Sequence, residues 1–154
     1  MAAELLPRES PATSSDWIGY HIRGMMYLKS GDVENAIAVF TWGVQQNPFH
    51  RERQLFEAGL AAAKIRKGEF SEAARLTEQL TGPISQILLM HSSAEIGNSK
   101  LALQAMSAVN DNQPPSIILL RDVLAARYRL TNNRFDRDDK WILEQESEVL
   151  LQAA

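Results

Sequence analysis

Gly24-Met25-Met26-Tyr27-Leu28-Lys29-Ser30-Gly31-Asp32-Val33-Glu34-Asn35-Ala36-Ile37-Ala38-Val39-Phe40-Thr41-Trp42-Gly43-Val44-Gln45-Gln46-Asn47-Pro48 is the stretch that decides the fold. It reads as two helical runs broken at Gly31-Asp32, where glycine supplies the left-handed conformation that ends a helix. In the second run Val33, Ala36, Ile37, Phe40 and Val44 recur at i, i+3, i+4, i+7 and i+11, which is one apolar face of a helix. Asn47-Pro48 ends that run, because the residue before a proline is pushed out of helical geometry. Small Gly24 and Ala36 allow the two helices to approach closely, while Tyr27 and Phe40 fill the space beside them. The stretch is a hairpin of two helices.

Moving outward, the turn repeats. Lys29-Ser30-Gly31-Asp32-Val33-Glu34-Asn35-Ala36 is matched by Arg66-Lys67-Gly68-Glu69-Phe70-Ser71-Glu72-Ala73 and more loosely by Glu95-Ile96-Gly97-Asn98-Ser99-Lys100-Leu101-Ala102. Each has an alanine five residues after the glycine. A fainter copy sits at Thr131-Asn132-Asn133-Arg134-Phe135, with Asn133 in the glycine's place; asparagine also tolerates the left-handed region. The spacing is in the mid-thirties, which favours a repeat array over an irregular bundle.

The pattern predicts eight helices, at about 16–30, 33–46, 49–67, 70–80, 84–96, 99–109, 116–130 and 136–152. Residues 1–15 read as a flexible tail with Leu5 and Leu6 near its start, and the first helix is expected to be capped by Ser15 or Asp16. The helical repeat domain spans 16–135, and 136–154 reads as a C-terminal capping helix.

The first unit resembles a tetratricopeptide (TPR) repeat. Gly24, Tyr27, Gly31, Ala36, Phe40 and Pro48 stand at that family's spacing, with Gly43 at its small position. Arg23 and Tyr20 replace the family's Leu and Trp. The second unit keeps Ala61, Gly68 and Ala73, with Lys64 and Thr77 for the aromatic residues. The third keeps Gly97, Ala102 and Pro114, with Met106 for the Phe. The fourth keeps Ala126, and Asp138 stands where its alanine would be. The resemblance implies an all-α fold, an α-α superhelix of about four hairpins.

Composition agrees with helices. There are 19 Ala and 18 Leu against 10 Ile and 6 Val in 154 residues, and Ala and Leu are strong helix formers. Apolar residues make up 45% of the chain, enough to bury a core, which excludes disorder throughout. A net charge of −3 argues against a dedicated nucleic-acid binder. No apolar run approaches a membrane span, so no membrane insertion is expected. The chain has no cysteine, and its start lacks a secretion-signal pattern. A cytoplasmic location is the expectation.

No phosphate loop, zinc-binding His-Glu-x-x-His pair or nucleophile elbow occurs. His21, His50 and His91 are too far apart in sequence for one helix to present two metal ligands. The reading is non-catalytic, without metal or cofactor. Asp138, Asp139, Glu144, Glu146 and Glu148 read as a solvated face. Arg127, Arg129, Arg134 and Arg137 are interleaved with Asp122, Asp136, Asp138 and Asp139, which reads as local ion pairing.

What remains is recognition. The TPR resemblance implies that the first helix of each hairpin lines a concave groove. Carried onto this chain, those positions are Ile18, His21, Met25 and Leu28; Leu55, Ala58, Ala62 and Ile65; Ile84, Ile87, His91 and Ala94; and Leu120, Val123, Arg127 and Leu130. The lining is mostly apolar. His21, Met25, Ala58 and Ala62 occupy the places of the Lys, Asn and Arg clamp with which some TPR proteins hold acidic chaperone tails, so that clamp is absent. The expectation is an adaptor or small chaperone, similar to those of bacterial secretion systems. It would bind a helical or extended segment of a protein or peptide partner in the groove. Met25, Ala62, Ile87 and Val123 are then expected to be partly exposed in the free chain. The same residues could instead pack on a neighbouring helix or the chain's own tail. A second reading is a scaffold that self-associates as a homodimer through its end helices, with Trp141, Ile142, Val149, Leu150 and Leu151 as cap or dimer face.

Overall fold

The computed structural model describes residues 6, 7, 11, 13–47, 49–130 and 139–153. Leu5, Pro48 and residues 131–138, among them Asn133, Arg134, Asp136, Arg137 and Asp138, lie outside them. The described residues form eight α-helices and no strand: α1 Ser14–Ser30, α2 Val33–Gln46, α3 His50–Lys67, α4 Phe70–Glu78, α5 Pro83–Glu95, α6 Ser99–Ala108, α7 Pro115–Arg127 and α8 Asp139–Ala153. None is long and apolar enough to cross a membrane.

The glycine turns act as the repeat implies. Gly31 and Gly68 take φ of 88° and 84°, and their amides close α1 and α3 onto Leu28 and Ile65 carbonyls. Gly97 does the same after α5 with φ 78°. Two ends differ from expectation. The α1 cap is Thr13, whose hydroxyl accepts from the Asp16 amide at 3.3 Å, rather than Ser15 or Asp16. Helix α7 stops at Arg127, short of Leu130. Arg129 takes the left-handed conformation, φ 56°, and the Leu130 amide bonds to the Ala125 carbonyl at 2.8 Å. A glycine is not needed there because the paired backbone bonds supply the stop.

Sequential helices pack from α1 to α6, and α1, α3, α5 and α7 also pack in that order side by side. Aromatic side chains lock the first three helices. Phe40 of α2 sits against Gly24 of α1 and Gly59 of α3: a Cβ on either glycine would stand 2.5 or 2.6 Å from its ring. Phe56 of α3 presses on Gly43 in the same way, at 1.9 Å. Tyr27, the other aromatic of the hairpin, is only partly buried. One buried cluster is centred on α1 to α4, and a second on α5 to α7.

The chain before α1 touches the body. Leu6 packs against the first cluster, and the Trp17 indole donates to the Pro11 carbonyl at 3.1 Å. Leu6 and Pro11, within the segment read as a flexible tail, thus touch the body. The indole of buried Trp17 needs an acceptor, and Pro11 supplies it.

Candidate functional site

The face formed by α1, α3, α5 and α7 carries the predicted lining residues, and α8 lies across all four of these helices. An end cap would rest on the last hairpin. Here the last helix touches α1, α3, α5 and α7. Its spacing explains how. Ile142 and Val149, seven residues apart, enter the second cluster with Ile87, Leu120 and Val123. Leu150 enters the first with Met25, Leu28, Ala58, Ala62 and Ile65, and Leu143 and Leu151 pack against it. Two adjacent stripes on one helix thus join the two halves of the core.

The expected exposure is corrected accordingly. Met25 is 1% exposed, Ala62 3%, Ile87 1% and Val123 0%. Leu28, Ala58, Ile65, His91 and Leu120 are also buried. Ile18, Leu55, Ile84, Ala94, Arg127 and Leu130 remain partly exposed. Ile142, Val149 and Leu150, read as a cap or dimer face, are buried inside the chain, and Trp141 and Leu151 partly so.

His21 does not belong with the rest. It is fully buried between the rings of Phe40 and Phe56, at 5.8 and 5.5 Å, and neither ring nitrogen makes a hydrogen bond. Burial lowers its pKa to about 4, against a weaker opposing contribution from the Leu55 backbone.

The polar centre of the face was not visible in the charge pattern. Glu146 was read with a solvated acidic face, yet it is 3% exposed and its Oε1 lies 2.6 Å from His91 Nδ1. Its Oε2 is buried with no hydrogen-bond partner. His91 is flanked by Phe70 and Tyr128, ring centroids 6.0 and 5.8 Å away. Beside it Arg66, at the end of α3, donates to the Leu28 carbonyl at 3.1 Å, the Leu143 carbonyl at 3.2 Å and Ser147 Oγ at 2.9 Å. It therefore ties α1, α3 and α8 together. Partial burial lowers the Arg66 pKa, and Glu146 and Glu144 oppose that shift. Lys29 of α1 pairs with Glu148. Glu144 is exposed.

Two clefts flank α8. One of about 170 Å³ includes Leu55, Ala58, Ile84 and Leu150 in its wall. The other, about 260 Å³, includes Arg66, Phe70, His91, Glu95 and Leu143. No group of three or more His, Asp or Glu placed to hold a metal occurs among the described residues. Chemically the face can hold an amphipathic helix: apolar stripes bind it, His91 meets an acid within it, and Arg66 holds its backbone and Ser147.

Compared with known protein families, curated proteins and solved structures, the chain matches none.

Proposed function

We propose that the protein is a non-catalytic, TPR-like helical-repeat module, an adaptor or small chaperone. In this reading the face of α1, α3, α5 and α7 receives an amphipathic helical segment of a protein partner. One observation carries it: that face already holds such a helix, α8, by two apolar stripes and a central acid. Helix-in-groove recognition uses the same i, i+3, i+4, i+7 anchors. The self-association reading loses support, because the last-helix residues offered for it are buried within one chain.

A photo-crosslinking amino acid placed at Leu55 or Ile84, on the cleft beside Leu150, tests the proposal. An equivalent probe at exposed Leu103 on α6 is the control. In the native source, the same partner should crosslink from Leu55 and Ile84 and not from Leu103. Crosslinks of equal yield from all three positions would remove this face from the function.

A further inference from the structure

We propose that α8 is a displaceable internal ligand. It occupies the binding face in the free chain and gives way to a partner helix with apolar residues at the positions of Ile142, Leu143, Val149 and Leu150 and an acid at that of Glu146. This rests on the function proposed above and specifies its partner and its regulation.

Three observations carry the inference. First, α8 packs on the odd-numbered helices, while the α1/α2, α3/α4 and α5/α6 pairings are made among the other helices. Removing α8 leaves those pairings in place. Second, its seat is polar in the middle. A buried ion or hydrogen-bond pair does little for stability compared with apolar residues of the same shape, but it sets register. Here Glu146 also leaves Oε2 without a partner. Such a contact selects an acid at one position while adding little over an apolar pair of the same shape. Third, open clefts lie beside Leu143 and Leu150, and a bulkier helix can gain contacts there.

The face has the charge to select that partner. Arg66 and Lys29 lie along it: Lys29 pairs with Glu148, and the charges of Glu146 and Glu144 act on Arg66. A helix with a basic residue opposite Arg66 would meet like charge instead. A covalently attached helix competes at an effective concentration on the order of millimolar. A free partner therefore binds weakly until α8 loosens.

The test uses the full chain and a fluorescein-labelled peptide with the sequence of residues 139–153. The peptide should bind at least tenfold more tightly to a chain carrying Ile142→Glu and Leu150→Glu, which loosens its own α8, than to the unaltered chain. A Glu146→Gln version of the peptide should bind the loosened chain at least fivefold more weakly. Equal binding of both peptides would overturn the acid requirement. Failure of a folded loosened chain to bind either would overturn the displaceable ligand. Light scattering accompanies the titration, and a stable dimer of the unaltered chain exchanging α8 between copies would also overturn it. Hydrogen exchange on the unaltered chain keeps the test decisive should the double variant unfold. Amides of α8 should exchange at least a hundredfold faster than those of α3, through an opening confined to that helix. Exchange of both helices at one common rate would make α8 a fixed part of the core. None of these measurements needs a natural partner, so they can fail while the crosslinking result stands.

Discussion

His91 of α5 and Glu146 of α8, 55 positions apart in the chain, meet at 2.6 Å with side chains each 3% exposed. The contact places α8 in one register on the face. Sliding it by a turn would leave a carboxylate against apolar residues and break its contact with His91. Glu146→Ala should therefore weaken α8 docking by about 3–5 kcal/mol, the usual cost of breaking a buried pair from one side. The loss is read from hydrogen exchange of α8 amides. Replacing both residues by Leu should restore docking to within about 1 kcal/mol of the original or better. A single-variant loss below about 1 kcal/mol would show that apolar packing alone sets the register.

The Phe40 clamp makes a prediction whose sign is diagnostic. Gly→Ala in an exposed helix interior stabilises by up to about 1 kcal/mol. At Gly59 the new methyl would stand 2.6 Å from the Phe40 ring. Gly59→Ala should instead destabilise by about 1–3 kcal/mol, as overpacking does. Phe40→Ala should cost about 3–5 kcal/mol, since the ring is fully buried. Urea denaturation checks both, and a stabilised Gly59→Ala would mean that α2 and α3 lie farther apart.

The helices and their turns were legible because local chemistry sets them. Gly31, Gly68 and Gly97 mark left-handed ends, and Gly24 opposite Phe40 marks a close crossing. Gly59 was not legible as Phe40's second wall, because that contact joins two hairpins. The four-helix face was legible from the repeat. Its occupant was not, although the clue was present. Glu146 falls four residues after Ile142 and three before Val149, in the middle of an apolar stripe. A charged residue in that place needs a buried partner. Its partner could not be named, since His91 and Arg66 come from other helices and only tertiary packing brings them together.

The segment before α1 gives a third prediction. Deleting residues 1–12 removes the Pro11 carbonyl from the Trp17 indole and the Leu6 contact from the core. A net hydrogen bond contributes about 1 kcal/mol, and partial burial of a leucine about as much again. Deletion should lower stability by about 1–2 kcal/mol, and Leu6→Ala by about half of that. Thermal melts check this. An unchanged melting temperature in both would return these residues to the status of an undocked tail.

Stability should also fall with mild acid through His21. Its folded pKa is about 4, while an unfolded histidine titrates near 6.5. Between those values the unfolded chain binds a proton that the folded chain refuses, so stability rises with pH across that window. Above about pH 6.5 the contribution is flat. On acidification toward pH 4 the chain should lose about 3 kcal/mol from this group. The carboxylates of Glu52 and Glu69, lowered by their Ser14 and Lys64 partners, act in a more acidic window. His21→Leu removes the titrating ring and keeps an apolar side chain between Phe40 and Phe56. That variant should lose most of the slope between pH 6.5 and 4 in urea denaturation. A slope equal to that of the unaltered chain would place the acid sensitivity elsewhere.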